Sequence, residues 1–153
     1  MSSSLNWRKR ESNHKADRYG SIVICRNTGR FAMVMELNNY ISPPKGLLLS
    51  SEETPLQCTV RKLKEELGYE MDLDILKVSE TITVAPDIQF GIRYYTYYIV
   101  FVDEEFGMKS VSKEDSIFLK YRSWLTYAEI QKLRMSSFNT KAFIILHDRK
   151  IIP

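Results

Sequence analysis

Three of the carboxylates and two of the cations in one stretch of the chain could act together: Glu53, Arg61, Lys62, Glu65 and Glu66 lie within residues 43–69, PPKGLLLSSEETPLQCTVRKLKEELGY. On a helical wheel, Arg61, Lys62, Glu65 and Glu66 share the side opposite Leu56, Val60, Leu63 and Leu67. The four charges are therefore expected to face outward together. Adjacent carboxylates on a helix, set against an irregular Gly-containing loop, could hold Mg²⁺, a hard cation that shares its oxygen ligands with water and substrate phosphates. Such a site suits phosphoanhydride cleavage. The same residues also read as plain surface, because Arg61 with Glu65 and Lys62 with Glu66 are i,i+4 pairs worth about 0.2–0.5 kcal/mol each.

The element that must carry these groups is well punctuated. Thr54 is placed to cap, Pro55 suits the first helical position, Gln57 completes a capping box and Gly68 stops the run, which predicts a helix over about 55–67. Its leucine stripe is expected to enter the core. Upstream, Gly20–Cys25 and Arg30–Met35 are apolar, β-prone runs joined by the turn composition Arg26-Asn27-Thr28-Gly29, which predicts a hairpin. Asn38–Gly46, with two prolines, reads as a loop leading to the helix. Downstream, Ile75–Val84, Ile92–Val102 and Ser116–Trp124 read as strands and Glu104–Asp115 as a charged loop. A second capping box at Thr126–Glu129 opens a helix through about Arg134, and Thr140–His147 is amphipathic and reads as helical.

The chain has 153 residues, 44% of them hydrophobic and 27% charged, which suits one ordinary domain with its own core. The predicted division is a polar, basic tail over 1–17 and a single domain over 18–153. No apolar run reaches the roughly 18 residues that a membrane helix needs, so no membrane partner is expected. Nor does an apolar segment follow the basic residues near the amino terminus, which points to a cytoplasmic or nuclear setting. Cys25 lies in an apolar strand-like run and Cys58 in the helix, so both are expected to be buried thiols. The tail could touch phosphates, since Trp7–Arg18 holds Arg8, Lys9, Arg10, Lys15 and Arg18 against two acids. A solvated terminus is the plainer reading. Oligomeric state leaves no trace in the sequence.

This segment resembles the Nudix box, Gly-x5-Glu-x7-Arg-Glu-U-x-Glu-Glu-x-Gly-U with U aliphatic. Glu53, Arg61, Leu63, Glu65, Glu66 and Gly68 fall in register, with Tyr69 at the final U. Pro43-Pro44-Lys45-Gly46 and Trp124–Glu129 are also similar to elements of that family, so the resemblance runs from about Arg18 to near the carboxyl terminus. It implies an α/β fold of the Nudix type, an α/β/α sandwich with a mixed sheet between helices. It further implies a pyrophosphohydrolase acting on a nucleotide or other phosphoanhydride: a dinucleoside polyphosphate, a diphosphoinositol polyphosphate or capped RNA. Glu65 and Glu66, with the main chain at Gly46, would ligate Mg²⁺ or Mn²⁺, which lowers the pKa of bound water. Glu53 would reach Arg61 and fix the loop, while Lys45 and Arg93 would contact phosphate.

Two departures bear on chemistry. Gly46 stands one residue too far from Glu53, so either the loop carries an insertion or Leu47 takes the glycine position. Lys62 stands where the family has a glutamate, and an ammonium there competes with a divalent ion for Glu65 and Glu66. This sets a second expectation beside the hydrolase: a Nudix-fold nucleotide- or RNA-binding module with weakened catalysis. Glu104, Glu105, Glu114 and Asp115 are candidates for a general base on a later loop. Among Tyr94, Tyr95, Tyr97 and Tyr98 a base-stacking surface is conceivable, with core packing the commoner fate. Lys120 reads as surface, and His14 and His147 show no metal-ligand spacing.

Overall fold

A computed structural model describes residues 17–85, 94–111, 113, 116 and 119–151. The predicted hairpin is present as β1 (Arg18–Cys25) and β2 (Phe31–Glu36), antiparallel with Ile24 opposite Phe31. Gly29 turns the chain at φ +71°, a conformation open to glycine without a Cβ penalty. The two strands then diverge, and the chain that follows fills the gap. Its two short strands, β3 (Tyr40–Ser42) and β4 (Lys45–Gly46), replace the loop expected over Asn38–Gly46. β3 pairs with β2, whereas β4 pairs with the start of β1, Tyr19 opposite Gly46 and Gly20 opposite Lys45.

That second pairing depends on Gly20. A Cβ built there would lie 2.1 Å from the Pro44 carbonyl oxygen and 2.7 Å from Lys45 Cβ. Only a residue without a side chain lets the loop come so close to β1. The Ser21 N–H secures the approach by donating to the Pro44 carbonyl at 3.1 Å.

The helix carrying the charges, α1, spans Pro55–Leu67 as the caps predict. The expected strand over Ile75–Val84 is instead a one-turn helix, α2 (Leu73–Lys77), followed by β5 (Thr81–Val84). Asp72 is the reason, since its side chain accepts from the Asp74 N–H at 2.9 Å and starts the turn. β6 (Tyr95–Val102) runs parallel to β1 along its whole length, Arg18 opposite Tyr95 through Cys25 opposite Val102. β7 (Leu119–Leu125) pairs with β2. The second boxed helix, α3 (Tyr127–Gln131), ends earlier than expected. Arg134 and Met135 form β8, which runs parallel to β3. The last helix, α4 (Ser137–Asp148), is longer than its sequence signal at both ends.

The described strands form one mixed sheet in the order β5-β6-β1-β2-β3-β8, with β4 branching from β1 and β7 from β2. Its inner strands read as near-continuous apolar runs because both faces are covered. Ile22, Ile24, Phe31, Tyr97 and Ile99 pack with Phe138, Phe143 and Leu146 of α4. On the other face Val23, Val34 and Val100 pack with Leu63 and Leu67 of α1 and with Leu76 of α2. Complete burial of a leucine contributes about 1.5–3 kcal/mol. These two layers of helix around a mixed sheet are the α/β sandwich expected. Cys25 and Cys58 are both buried thiols, as expected. No described helix is long and apolar enough to cross a membrane.

Candidate active site

α1 is fixed at both ends before its charged side is considered. The Thr54 side chain accepts from the Gln57 N–H at 3.1 Å, and Gln57 Oε1 accepts from the Thr54 N–H at 3.0 Å. Gly68 closes the helix at φ +75°. From β7, Arg122 donates to the Glu66 main-chain carbonyl and so caps the last turn from outside the helix. Nothing in the local sequence around Arg122 signals that partner, because the contact is made across 56 residues.

The charged side does not face solvent, contrary to the wheel-based expectation. Lys62 is 0% exposed and Glu66 6%, as buried as Leu63. The reason is the Pro43–Leu49 segment, which β1 holds against this side of α1. The wheel gives relative directions on a helix but not which neighbour covers each side.

Glu53 and Arg61 form the tie between loop and helix. Arg61 Nε donates to Glu53 Oε2 at 2.9 Å and Nη2 to Oε1 at 3.0 Å, a bidentate pair. The same Nη2 donates to the Leu47 carbonyl at 2.6 Å, while the Leu49 N–H donates to Glu53 Oε1 at 2.9 Å. Burial pushes the Glu53 carboxyl up, but the hydrogen bonds from Arg61 and from the Leu49 N–H outweigh it and hold the group below the usual carboxylate range. Burial works against the Arg61 charge too, and Glu53 nevertheless keeps its pKa raised. Leu47 has no left-handed backbone, so the longer loop is accommodated without strain at that residue.

Glu65 and Glu66 extend the network to Lys62. Its Nζ lies 3.2 Å from Glu66 Oε1 and 3.8 Å from Glu65 Oε2, the i,i+4 and i,i+3 partners on one helix. Arg61 Nη1 also donates to Glu65 Oε2 at 3.2 Å, and the Lys45 N–H donates to Glu66 Oε1 at 3.3 Å. Glu65 keeps the more open side chain, 20% exposed against 7% for Glu66. Burial raises its pKa despite the nearby Lys62 and Arg61 charges.

The other expected residues are dispersed. The Lys45 ammonium turns to Glu36 Oε1 at 3.7 Å and Ser42 Oγ at 3.5 Å. Gly46 is buried in β4 and its carbonyl faces the Cys58 thiol at 3.6 Å. Glu104 accepts from Asn27 at 2.5 Å, and Glu105 makes a bidentate pair with Arg30 at 2.6 Å. Both therefore sit at the β1–β2 turn, whereas β4 joins β1 near its start, about five residues or roughly 17 Å along the strand. Lys120 pairs with Asn39, and exposed His147 stacks beside Tyr127. Tyr95 and Tyr97 are core residues; Tyr95 stacks on Phe138 with centroids 3.7 Å apart, and the Tyr97 hydroxyl bonds to Asn139. Tyr94 is exposed. Arg93, Glu114, Asp115, His14 and the basic tail to Lys15 lie outside the described residues.

Two cavities lie away from the charged helix. One of about 560 Å³ opens among Tyr40, Tyr127, Arg134 and Phe143, and one of about 330 Å³ among Arg26, Val78 and Phe101.

The donor set does not fit a divalent ion in the arrangement described. Among the described residues no group of three or more His, Cys, Asp or Glu side chains is placed to hold one. The two adjacent carboxylates already share an ammonium. A dication about 4 Å from that ammonium would meet repulsion on the order of 8 kcal/mol at an effective dielectric of roughly 20.

A mixed sheet between helices, with one acidic helix clamped under a Pro/Gly segment, defines the class. The family model for the NUDIX domain matches residues 16–144, and the chain belongs to the Nudix family. Solved structures share the fold at low identity. The bifunctional NMN adenylyltransferase/ADP-ribose pyrophosphatase of Francisella tularensis, complexed with AMP and a Mn ion, is 16% identical with a TM-score of 0.66. The match covers 95% of this chain but only 46% of that one. The NUDIX domain of Shewanella oneidensis NrtR, complexed with ADP-ribose, is 12% identical over 97% of this chain and 99% of that one, TM-score 0.65. A Caenorhabditis elegans Ap4A hydrolase is 15% identical over 76% and 84%, TM-score 0.58. No curated protein matches the chain in sequence.

Proposed function

We propose that this domain binds a compound with a phosphoanhydride, of the nucleoside diphosphate class, beside Glu65 on α1, and that metal-assisted hydrolysis there is strongly curtailed. The observation that carries this reading is Lys62, whose buried ammonium lies 3.2 Å from Glu66 and 3.8 Å from Glu65. Water activation in a hydrolase of this kind relies on a metal's positive charge to lower the pKa of the nucleophile. Here the carboxylates that would hold that charge already share an ammonium, which has no comparable effect on water. The loop is nevertheless kept in place by the Glu53–Arg61 clamp. Ligand class is supported by structural relatives that bind AMP or ADP-ribose. Arg93 is proposed as a phosphate contact on sequence grounds, and RNA as an alternative anionic ligand.

A second reading is a Mg²⁺- or Mn²⁺-dependent pyrophosphohydrolase with Glu53 and Arg61 as positioning residues and Glu65 and Glu66 as ligands. The intact clamp favours it, because loop geometry is retained where a binding protein needs less of it. Hydrolysis of ADP-ribose, diadenosine tetraphosphate and capped RNA with Mg²⁺ and with Mn²⁺ separates the two. The binding reading expects an inert wild type and a gain in Lys62→Glu. Turnover by wild type that is lost in Glu65→Gln supports the hydrolase instead.

A further inference from the structure

We infer that Lys62 is a resident cation that takes the place of a divalent ion, so that ligand recognition by this domain is independent of metal. The inference rests on the binding reading for its ligand, though not for its cation. Of the two α1 cations that reach Glu65, Arg61 also clamps Glu53 and the Leu47 carbonyl, which locks the loop. Glu65 is shared between Arg61 and Lys62, and Lys62 is the ammonium that spans both Glu65 and Glu66. Both Lys62 contacts are made within one helix, at i+3 and i+4, so the helical backbone itself sets their geometry and no loop movement is required.

Burial makes the arrangement hard to displace. With no exposed surface, Lys62 could not follow its charge into water if a dication captured both carboxylates. An ammonium stranded in that way is far costlier than one left paired. The charge balance also changes toward an incoming anion. Glu53, Glu65 and Glu66 face Arg61 and Lys62, three carboxylates against two cations, whereas a glutamate at position 62 would set four against one. A diphosphate approaching Glu65 therefore meets less repulsion without a bridging ion.

The test begins with Mn²⁺ alone, titrated into wild type, Lys62→Glu and Lys62→Met and followed by electron paramagnetic resonance of the free ion. Wild type is expected to show no saturable site below millimolar Mn²⁺. Lys62→Glu should bind at least about tenfold more tightly, with Lys62→Met between them. Saturable, submillimolar binding to wild type that is lost in Glu65→Gln overturns the inference. That arm stands even where a variant fails to fold, since wild type alone decides it. In the second arm, calorimetry measures ADP-ribose and diadenosine tetraphosphate binding in EDTA and in Mn²⁺. Affinities within about twofold of each other support the inference, and binding seen only with Mn²⁺ overturns it. Absence of binding in both conditions removes the binding reading, while the Mn²⁺ titration still decides the role of Lys62.

Discussion

The two faces of the sheet are built on different principles. Under α4 the packing is aromatic and apolar: Phe31 meets Phe143 edge to face at 5.1 Å, and Tyr95 stacks on Phe138. The buried polar pair Tyr97 with Asn139 on that face is neutral, and burial pushes the tyrosine pKa well up. Under α1 an equally buried position holds the ammonium of Lys62 with Glu66, beside the Glu53–Arg61 clamp. Replacing a buried ion pair by apolar groups of similar volume is often neutral or stabilising. The α1 face thus holds a buried ion pair that burial of apolar surface alone does not call for. Function is the reason to look for on the second face.

The contrast can be broken most forcefully from the apolar side. Phe143→Ala should cost about 3–5 kcal/mol, read in urea unfolding, because the ring is fully buried and the cavity collapses only in part. Its effect on Mn²⁺ binding by the folded protein should be negligible. Next, Lys62→Met should cost about 3 kcal/mol by leaving the buried Glu66 carboxylate without the Lys62 ammonium, and Lys62→Met with Glu66→Gln should recover most of that loss. Failure of the double variant to recover would mean that the ion pair is structural, and the two faces would no longer differ in kind.

Acid provides a finer probe. Because the folded Glu53 pKa is depressed, the clamp's contribution is complete above the unfolded carboxylate pKa of about 4.3 and is lost as pH falls through the lower folded value. The stability gap between wild type and Glu53→Gln should thus be constant from about pH 6 to 8 and shrink below about pH 4, measured by thermal melts. The smallest effect expected is Thr54→Ala, about 1 kcal/mol, since only one of the first-turn N–H groups loses its acceptor.

Legibility in the sequence followed the range of the interactions. The ends of α1 could be read to the residue because Thr54, Gln57 and Gly68 act within one turn of the helix they bound. Glu53 with Arg61 was legible as a pair through the spacing of the family box. The burial of Lys62 was not, because it depends on where the Pro43–Leu49 segment lies, and that is set by β1. α2 was hidden inside a β-prone run, since five residues give propensity too little length to register and Asp72 alone marks the start. Glu104 and Glu105 had suitable chemistry for a base, but their positions are fixed by partners in a distant turn.

The missing side chain at Gly20 links these two faces in a single line. Opposite it on β6 stands Tyr97, anchored to α4, and above it lie Pro44 and Lys45, whose N–H reaches Glu66. A methyl group at that one point would lift the Pro44 carbonyl and carry Lys45 away from the carboxylate. The electrostatics of α1 thus hang on the thickness of a bare backbone, and a neutral change more than forty residues away in sequence can detune them without touching a charge.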